Sequence, residues 1–320
     1  MYNNNRPRIG IALGSGSARG WSHIGILQQL NDMGIRPEIV CGCSIGSIVG
    51  AAYAAENLNK LEKWALSFSK LDMMRYFELK TSFNGVIHQQ KLREVFHQHI
   101  CAEQQSIEGL KTQFATVATD LHSGQEIWLR EDKVVDAVWA SIALPGLFPP
   151  VSYHHRWLVD GGLVNPVPVS LCKAMGADIV IAVNLNSNVL SAMKKKKNPE
   201  TAADTKAADN DEQTPGESAD NSLLSNVTGT LKEYSNSLFP NQKDENPPPG
   251  IVDAVAGSIY IMQDKITRSR MVGDPPEILL NPRVGDLGLL EFYRAEEAIQ
   301  EGRDCVLRMK NEIERIMAYL

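Results

Sequence analysis

The sequence lacks a long apolar run: no stretch of its 320 residues approaches the roughly 18 consecutive apolar positions that a membrane-spanning helix needs. It lacks a basic surplus. Thirty-eight acidic residues against 32 lysines and arginines give a formal charge of −6, which argues against a nucleic-acid partner. The opening segment, MYNNNRPRIGIAL, has neither the apolar stretch nor the small-residue cleavage site of a secretory signal. Cysteine is scarce and unpatterned. Cys41, Cys43, Cys101, Cys172 and Cys305 are odd in number and scattered, without zinc-ligand spacing, so a reduced, cytoplasmic setting is expected. Histidine is missing where it would matter most, because none follows His155. His23, His88, His97, His99, His122, His154 and His155 show no metal-ligand spacing with a carboxylate or cysteine, so no metal and no cofactor is expected.

What is present reads as strands alternating with helices. Arg8–Leu13 (RIGIAL) is a short apolar run of the kind that forms a buried strand. A glycine-rich turn follows, then a helix in which Ile24, Leu27, Leu30 and Met33 recur at three-residue steps before Gly34. Ile39–Gly42 predicts a second buried strand, which turns through Cys43-Ser44-Ile45-Gly46 into a small-residue helix. Helical patterns cover roughly 58–70 and 88–100. Phe114–Leu121 and Glu126–Leu129 read as strands joined by a turn at Ser123-Gly124. A helix over Val134–Ile142, a strand at Trp157–Val159, a helix over Pro168–Met175 and a strand at Asp178–Leu185 follow. This alternation implies a mostly parallel sheet covered on both faces. Ile251 to about Val272 is helical, Glu277–Leu280 is a strand, and one helix from about Leu290 to Met317 closes the chain. Between them, 187–250 is rich in Asn, Asp, Glu, Lys, Ser, Thr and Pro, with KKKK at 194–197 and PPP at 247–249. Such a segment buries too little surface to offset its ordering entropy. It reads as a low-complexity, disordered insertion, with a transient helix near 222–238, in a single domain made of 1–186 and 251–320.

Three segments carry chemistry. Gly42-Cys43-Ser44-Ile45-Gly46 is a Gly-x-Ser-x-Gly between a predicted strand and a predicted helix. That context suits a sharp turn lifting a nucleophilic hydroxyl clear of the sheet, with the helix amino terminus facing developing negative charge. The loop Gly14–Gly20 has backbone N–H groups for an oxyanion. Its rival reading, a phosphate loop, lacks Gly-Lys-Ser/Thr, and the end of strand two holds the serine turn where a dinucleotide fold wants an acid. Arg19 would hold this loop by pairing with a carboxylate or a backbone carbonyl, and His23 lies close enough to line the site. Asp160-Gly161-Gly162 follows a strand, and a desolvated carboxylate there can accept the proton of Ser44. A triad in the order Ser, acid, His is unavailable with Asp160 as the acid, because His155 is the last histidine. A Ser–Asp dyad is the simplest arrangement.

Together LGSGSARGWSHIGIL (13–27), GCSIG (42–46), ASIALPGLFPPV (140–151), VDGGLVNPVPV (159–169) and DPPEILLNP (274–282) resemble the patatin-like phospholipase family, which includes the catalytic domain of neuropathy target esterase. The likeness covers about 1–186 and 251–320. It implies a three-layer α/β/α fold and calcium-independent hydrolysis of fatty-acyl esters of phospholipid or lysophospholipid. Carried over residue by residue, Ser44 is the nucleophile and Asp160 the dyad acid. Gly14, Ser15, Gly16 and Ser17 supply the oxyanion hole, supported by Arg19, Gly20, Gly42, Gly46, Gly161 and Gly162. One departure stands out: Ser15 and Ser17 interrupt what in many members is a run of glycines, and a serine at φ > 0 would be strained. Two alternatives share the fold: an acyltransferase using the same acyl-serine, and a regulator or scaffold without turnover. Lys194–Lys197 could make transient contact with an anionic lipid surface, at about 1 kcal/mol per charge, but acidic residues downstream blunt this and a solvated linker is the expected reading.

Overall fold

In the computed structural model, which describes residues 6–71, 89–189 and 251–318, the chain opens with β1 (Ile9–Leu13), a 3₁₀ turn (Ser17–Trp21), α1 (Ser22–Asp32), β2 (Ile39–Cys43), α2 (Ile45–Ala54) and α3 (Leu58–Ser67). It continues through α4 (Gln89–His99), β3 (Gln113–Asp120), β4 (Glu126–Leu129), α5 (Val134–Ser141), β5 (Val151–Tyr153) and β6 (Arg156–Asp160). A 3₁₀ turn (Gly161–Leu163), α6 (Val169–Ala174) and β7 (Ile179–Val183) follow. The last part is α7 (Ile251–Gly273), β8 (Ile278–Leu280), a 3₁₀ turn (Phe292–Arg294), α8 (Ala295–Arg308) and α9 (Lys310–Ala318).

An unbroken apolar strand needs cover on both faces, and β1, β2 and β7 are buried along their full length. Alternate side chains serve two cores, as the period of a strand requires. Ile9, Ile11 and Leu13 of β1, Val40 of β2 and Ile181 and Val183 of β7 join the apolar residues of α1, α2, α3, α5 and α8. Ala12, Ile39, Cys41, Val180 and Ala182 pack on the opposite side with Val169, Leu171 and Cys172 of α6. The fold is thus α/β/α around one eight-stranded sheet, paired in the order β5-β6-β3-β2-β1-β7-β8 with β4 also on β3. Four pairings are parallel and three antiparallel.

One detail of register positions the site. Along β3, Thr116 and Val117 pair with both β2 and β4, and Ala118 and Thr119 pair with both β4 and β6. Strand β4 therefore occupies one edge of β3, while β2 and β6 follow each other along the other. The end of β2 and the end of β6 meet there.

Two expectations need correction. The single closing helix is interrupted: a 3₁₀ turn precedes α8, and Met309, at φ −99° and ψ 5°, separates α8 from α9. Strand β5 has no counterpart in the sequence reading. It is three residues long, and its turn to β6 uses His154 and His155 at φ 43° and 63°, positions where hairpins normally show Asn-Gly. The described residues up to 189 and from 256 to 318 belong to one compact unit. Of the segment read as an insertion, 190–250 lies outside the described residues, with the Lys194–Lys197 run and the helix expected near 222–238. Among the described residues no helix is long and apolar enough to cross a membrane.

Candidate active site

Ser44 sits between β2 and α2 with φ 54° and ψ −123°, a backbone conformation that a side chain makes costly. The spacing of the surrounding glycines has a steric cause. A Cβ at Gly42 would lie 2.5 Å from the carbonyl oxygen of Gly46, and a Cβ at Gly46 would strike the carbonyl oxygen of Leu13. Ser47 secures the turn from the helix side, where its N–H and Oγ both donate to Ser44 O, at 2.8 and 2.6 Å. From the other side the Ser44 N–H donates to the Oγ of Ser141, at 3.0 Å.

Asp160 ends β6 and is 1% exposed. Its Oδ2 accepts from Ser44 Oγ at 2.6 Å, and its Oδ1 accepts from the Gly162 N–H at 2.7 Å. Its N–H donates to Ala143 O at 3.0 Å, and its carbonyl accepts from Thr119 Oγ1 at 2.8 Å. Burial pushes the carboxyl up to about 6, against the opposing pull of the bonds from Ser44 and Gly162. It is ionised at neutral pH and can accept a proton at slightly lower pH. Ser141 and Ala143, at the end of α5, thus grip both members of the pair. Neither was singled out from the sequence, although both lie in the segment 140–151.

The loop after β1 separates the four residues expected to donate to an oxyanion. The Gly14 N–H donates to Val183 O at 3.1 Å and the Ser15 N–H to Pro166 O at 2.8 Å. Among the described residues nothing accepts from the N–H groups of Gly16 and Ser17. Ser17 has φ 53°, the left-handed conformation a serine adopts at a cost, and its Oγ anchors it to Leu289 O at 2.6 Å. Arg19 takes the second of its two expected partners: its Nε donates to the carbonyl of Gly16 at 3.1 Å, and its guanidinium lies 4.2 Å from the centre of the Tyr260 ring. Burial pulls its pKa down. Gly20 packs against Ile45 of α2, leaving no room for a Cβ. His23 lies behind the loop rather than on the cavity wall. It is fully buried, its Nε2 is 2.8 Å from Gly14 O, and burial holds its pKa down near 4. Gly161 lies against Val117 O with no space for a side chain.

Ser44 and Asp160 open onto a cavity of about 120 Å³. Ser15, Gly16 and Ser17 share its polar corner. The rest is apolar. One wall carries Trp21, Trp64, Phe68 and Phe292 in edge-to-face contacts at 5.6–6.4 Å between ring centres, and Phe96 and Phe148 contribute to another. Among the described residues no group of three or more His, Cys, Asp and Glu side chains could hold a metal ion.

A family model described as "Patatin-like phospholipase" matches residues 11–173. An uncharacterized NTE family protein of Mycobacterium tuberculosis is 29% identical over 325 aligned residues, covering 93% of this chain and 89% of the relative. The human patatin-like phospholipase domain-containing protein 6 is 31% identical over 56% of this chain and 13% of its own length. Lysophospholipase nte1 of Aspergillus fumigatus is 26% identical over 92% of this chain and 18% of its own.

Proposed function

Because the chain belongs to the patatin-like phospholipase family and is a lipid ester hydrolase, we propose that it cleaves the acyl ester of a phospholipid or lysophospholipid through a Ser44–Asp160 dyad and an acyl-serine intermediate. The observation that carries this reading is the 2.6 Å hydrogen bond from Ser44 Oγ to a buried carboxylate, at the polar corner of an apolar cavity.

Asp160 takes the hydroxyl proton as Ser44 Oγ attacks the ester carbonyl. The N–H groups of Gly16 and Ser17 stabilise the oxyanion. Those of Gly14 and Ser15 are committed to the fold, so the hole expected from four residues narrows to two. Helix α2 adds the positive end of its dipole behind Ser44. As the tetrahedral intermediate collapses, the protonated Asp160 delivers its proton to the leaving alcohol. Water, deprotonated by Asp160, then hydrolyses the acyl-serine. The acyl chain occupies the aromatic-walled part of the cavity. The test pairs turnover of a p-nitrophenyl ester with labelling by a fluorophosphonate probe. Wild type should show both and Ser44→Ala neither, while retaining a cooperative unfolding transition. Undiminished turnover by Ser44→Ala would end the proposal.

A further inference from the structure

One more polar group faces the cavity. Gln263, on α7, is 6% exposed and lines the cavity wall. Its Oε1 accepts from Nδ2 of Asn186 at 3.0 Å. The Asn186 backbone is anchored by its N–H, which donates to Asn184 Oδ1 at 3.0 Å. In this arrangement the Gln263 oxygen faces Asn186 and its Nε2 faces away. Among the described residues nothing accepts from Nε2, whereas buried polar groups are ordinarily paired. Its position is close to the dyad. A Cβ at Gly162 would lie 2.5 Å from Gln263 Nε2, 3.0 Å from Asp160 Oδ1 and 3.4 Å from Ser15 Cβ. Tyr260, three residues earlier on α7, and Ser15 line the same cavity with buried hydroxyls that also have no partner among the described residues.

The chemistry of this corner selects its ligand. Asp160 is the acid on the wall, and no Lys, Arg or His is among the described lining residues. Tyr260 stays neutral, since burial pushes its phenol up. Among the described lining residues a phosphate would meet a carboxylate and no cation, because Arg19 packs on the Tyr260 ring and does not itself line the cavity. The ester carbonyl is taken by Gly16 and Ser17. What remains is a neutral group that accepts from an amide N–H and exchanges hydrogen bonds with hydroxyls, which is itself a hydroxyl.

We propose that Gln263 is a specificity-determining residue that donates its Nε2–H to a free hydroxyl on the leaving alcohol, so that the site favours esters of a polyol over esters of a plain alcohol. This rests on the hydrolase reading above and adds the residue that reads the leaving group. Gln263 lies beyond the matched span 11–173.

The test compares two esters that differ in hydroxyls alone, 1-octanoylglycerol and propyl octanoate. Wild type should prefer the glycerol ester by about tenfold or more in kcat/KM, the order that one net hydrogen bond supplies. In Gln263→Met, which keeps the volume and removes the donor, the ratio should collapse to about one. Equal turnover of the two esters by wild type overturns the proposal without reference to any variant. So does a fall in Gln263→Met shared equally by both esters, which marks a purely structural role. Ser44-dependent turnover of propyl octanoate without a preference leaves the hydrolase standing and this inference defeated. Absence of turnover on both esters, with no labelling of Ser44, defeats the two together.

Discussion

Asp160→Asn tests whether the carboxyl of the proposed dyad is held at the expense of stability. Burial raises its pKa from 3.8 to about 6. That difference of about two units, at about 1.4 kcal/mol each, makes the ionised form cost the fold about 3 kcal/mol. The sign follows from proton binding. Between about pH 4 and 6 the folded state holds a proton that the unfolded chain has released, so stability falls as pH rises through that window. The full penalty is present above about pH 6 and none below about pH 4. Asparagine does not titrate, yet it keeps both contacts. Its Oδ1 accepts from the Gly162 N–H, and its Nδ2 donates to a reoriented Ser44 Oγ, in place of the bonds the carboxylate makes now. The variant should be inactive and more stable than wild type by about 3 kcal/mol at pH 8, with the difference vanishing near pH 4. Urea unfolding of both proteins across that range measures it. A variant no more stable at pH 8, or a difference that does not change with pH, would refute the reasoning.

His23 sharpens the experiment because it acts with the opposite sign. Its folded pKa is down near 4 against an ordinary 6.5. As pH falls from 6.5 toward 4 the unfolded chain takes up a proton that the buried ring refuses, and about 3 kcal/mol of stability is lost. In wild type the gain at Asp160 offsets this loss over nearly the same window. Asp160→Asn removes the gain alone, so the variant should weaken on acidification more steeply than wild type.

In the proposed mechanism the same carboxyl sets the pH dependence of the reaction. Below about pH 6 kcat/KM should fall about tenfold per unit as Asp160 protonates, with a plateau above; a midpoint in the ordinary carboxylate range would place the reacting base elsewhere. Ser141→Ala strips the acceptor from the Ser44 N–H and should lower both stability, by about 1–3 kcal/mol, and kcat. Ser141→Thr should restore much of both while the pH midpoint stays put, and an unchanged kcat in Ser141→Ala would show that the turn holds itself.

The parts of this molecule that could be read from the sequence are those whose cause is local. β1, β2 and β7 are legible because a strand buried on both faces is an unbroken apolar run. Gly42 and Gly46 are legible because two backbones approach too closely for a side chain, and that requirement recurs wherever a strand turns sharply into a helix. Strand β5 is not legible. Three residues carry little pattern, and the histidine pair at its turn adopts φ > 0 without a glycine to announce it. The loop shows the limit most clearly. Gly14, Ser15, Gly16 and Ser17 look equivalent in sequence, yet which amides stay available depends on Val183 and Pro166, more than 140 residues further on.

The motifs alone do not supply the geometry that would make them work. Ser44 and Asp160 are 116 positions apart, and neither Gly-x-Ser-x-Gly nor Asp-Gly-Gly contains anything that draws one to the other. Strand β3 does this by pairing β2 and then β6 along one edge, so that Cys43 opposite Val117 and Asp160 opposite Ala118 end up adjacent. The end of α5 and the residues just after it then hold the backbone N–H of each partner, Ser44 through Ser141 and Asp160 through Ala143. Gln263 depends in turn on Asn186, 77 positions away. A substitution that shifts β3 or unravels the end of α5 should therefore separate the pair while leaving both motifs intact, and activity would be lost with every motif residue still present.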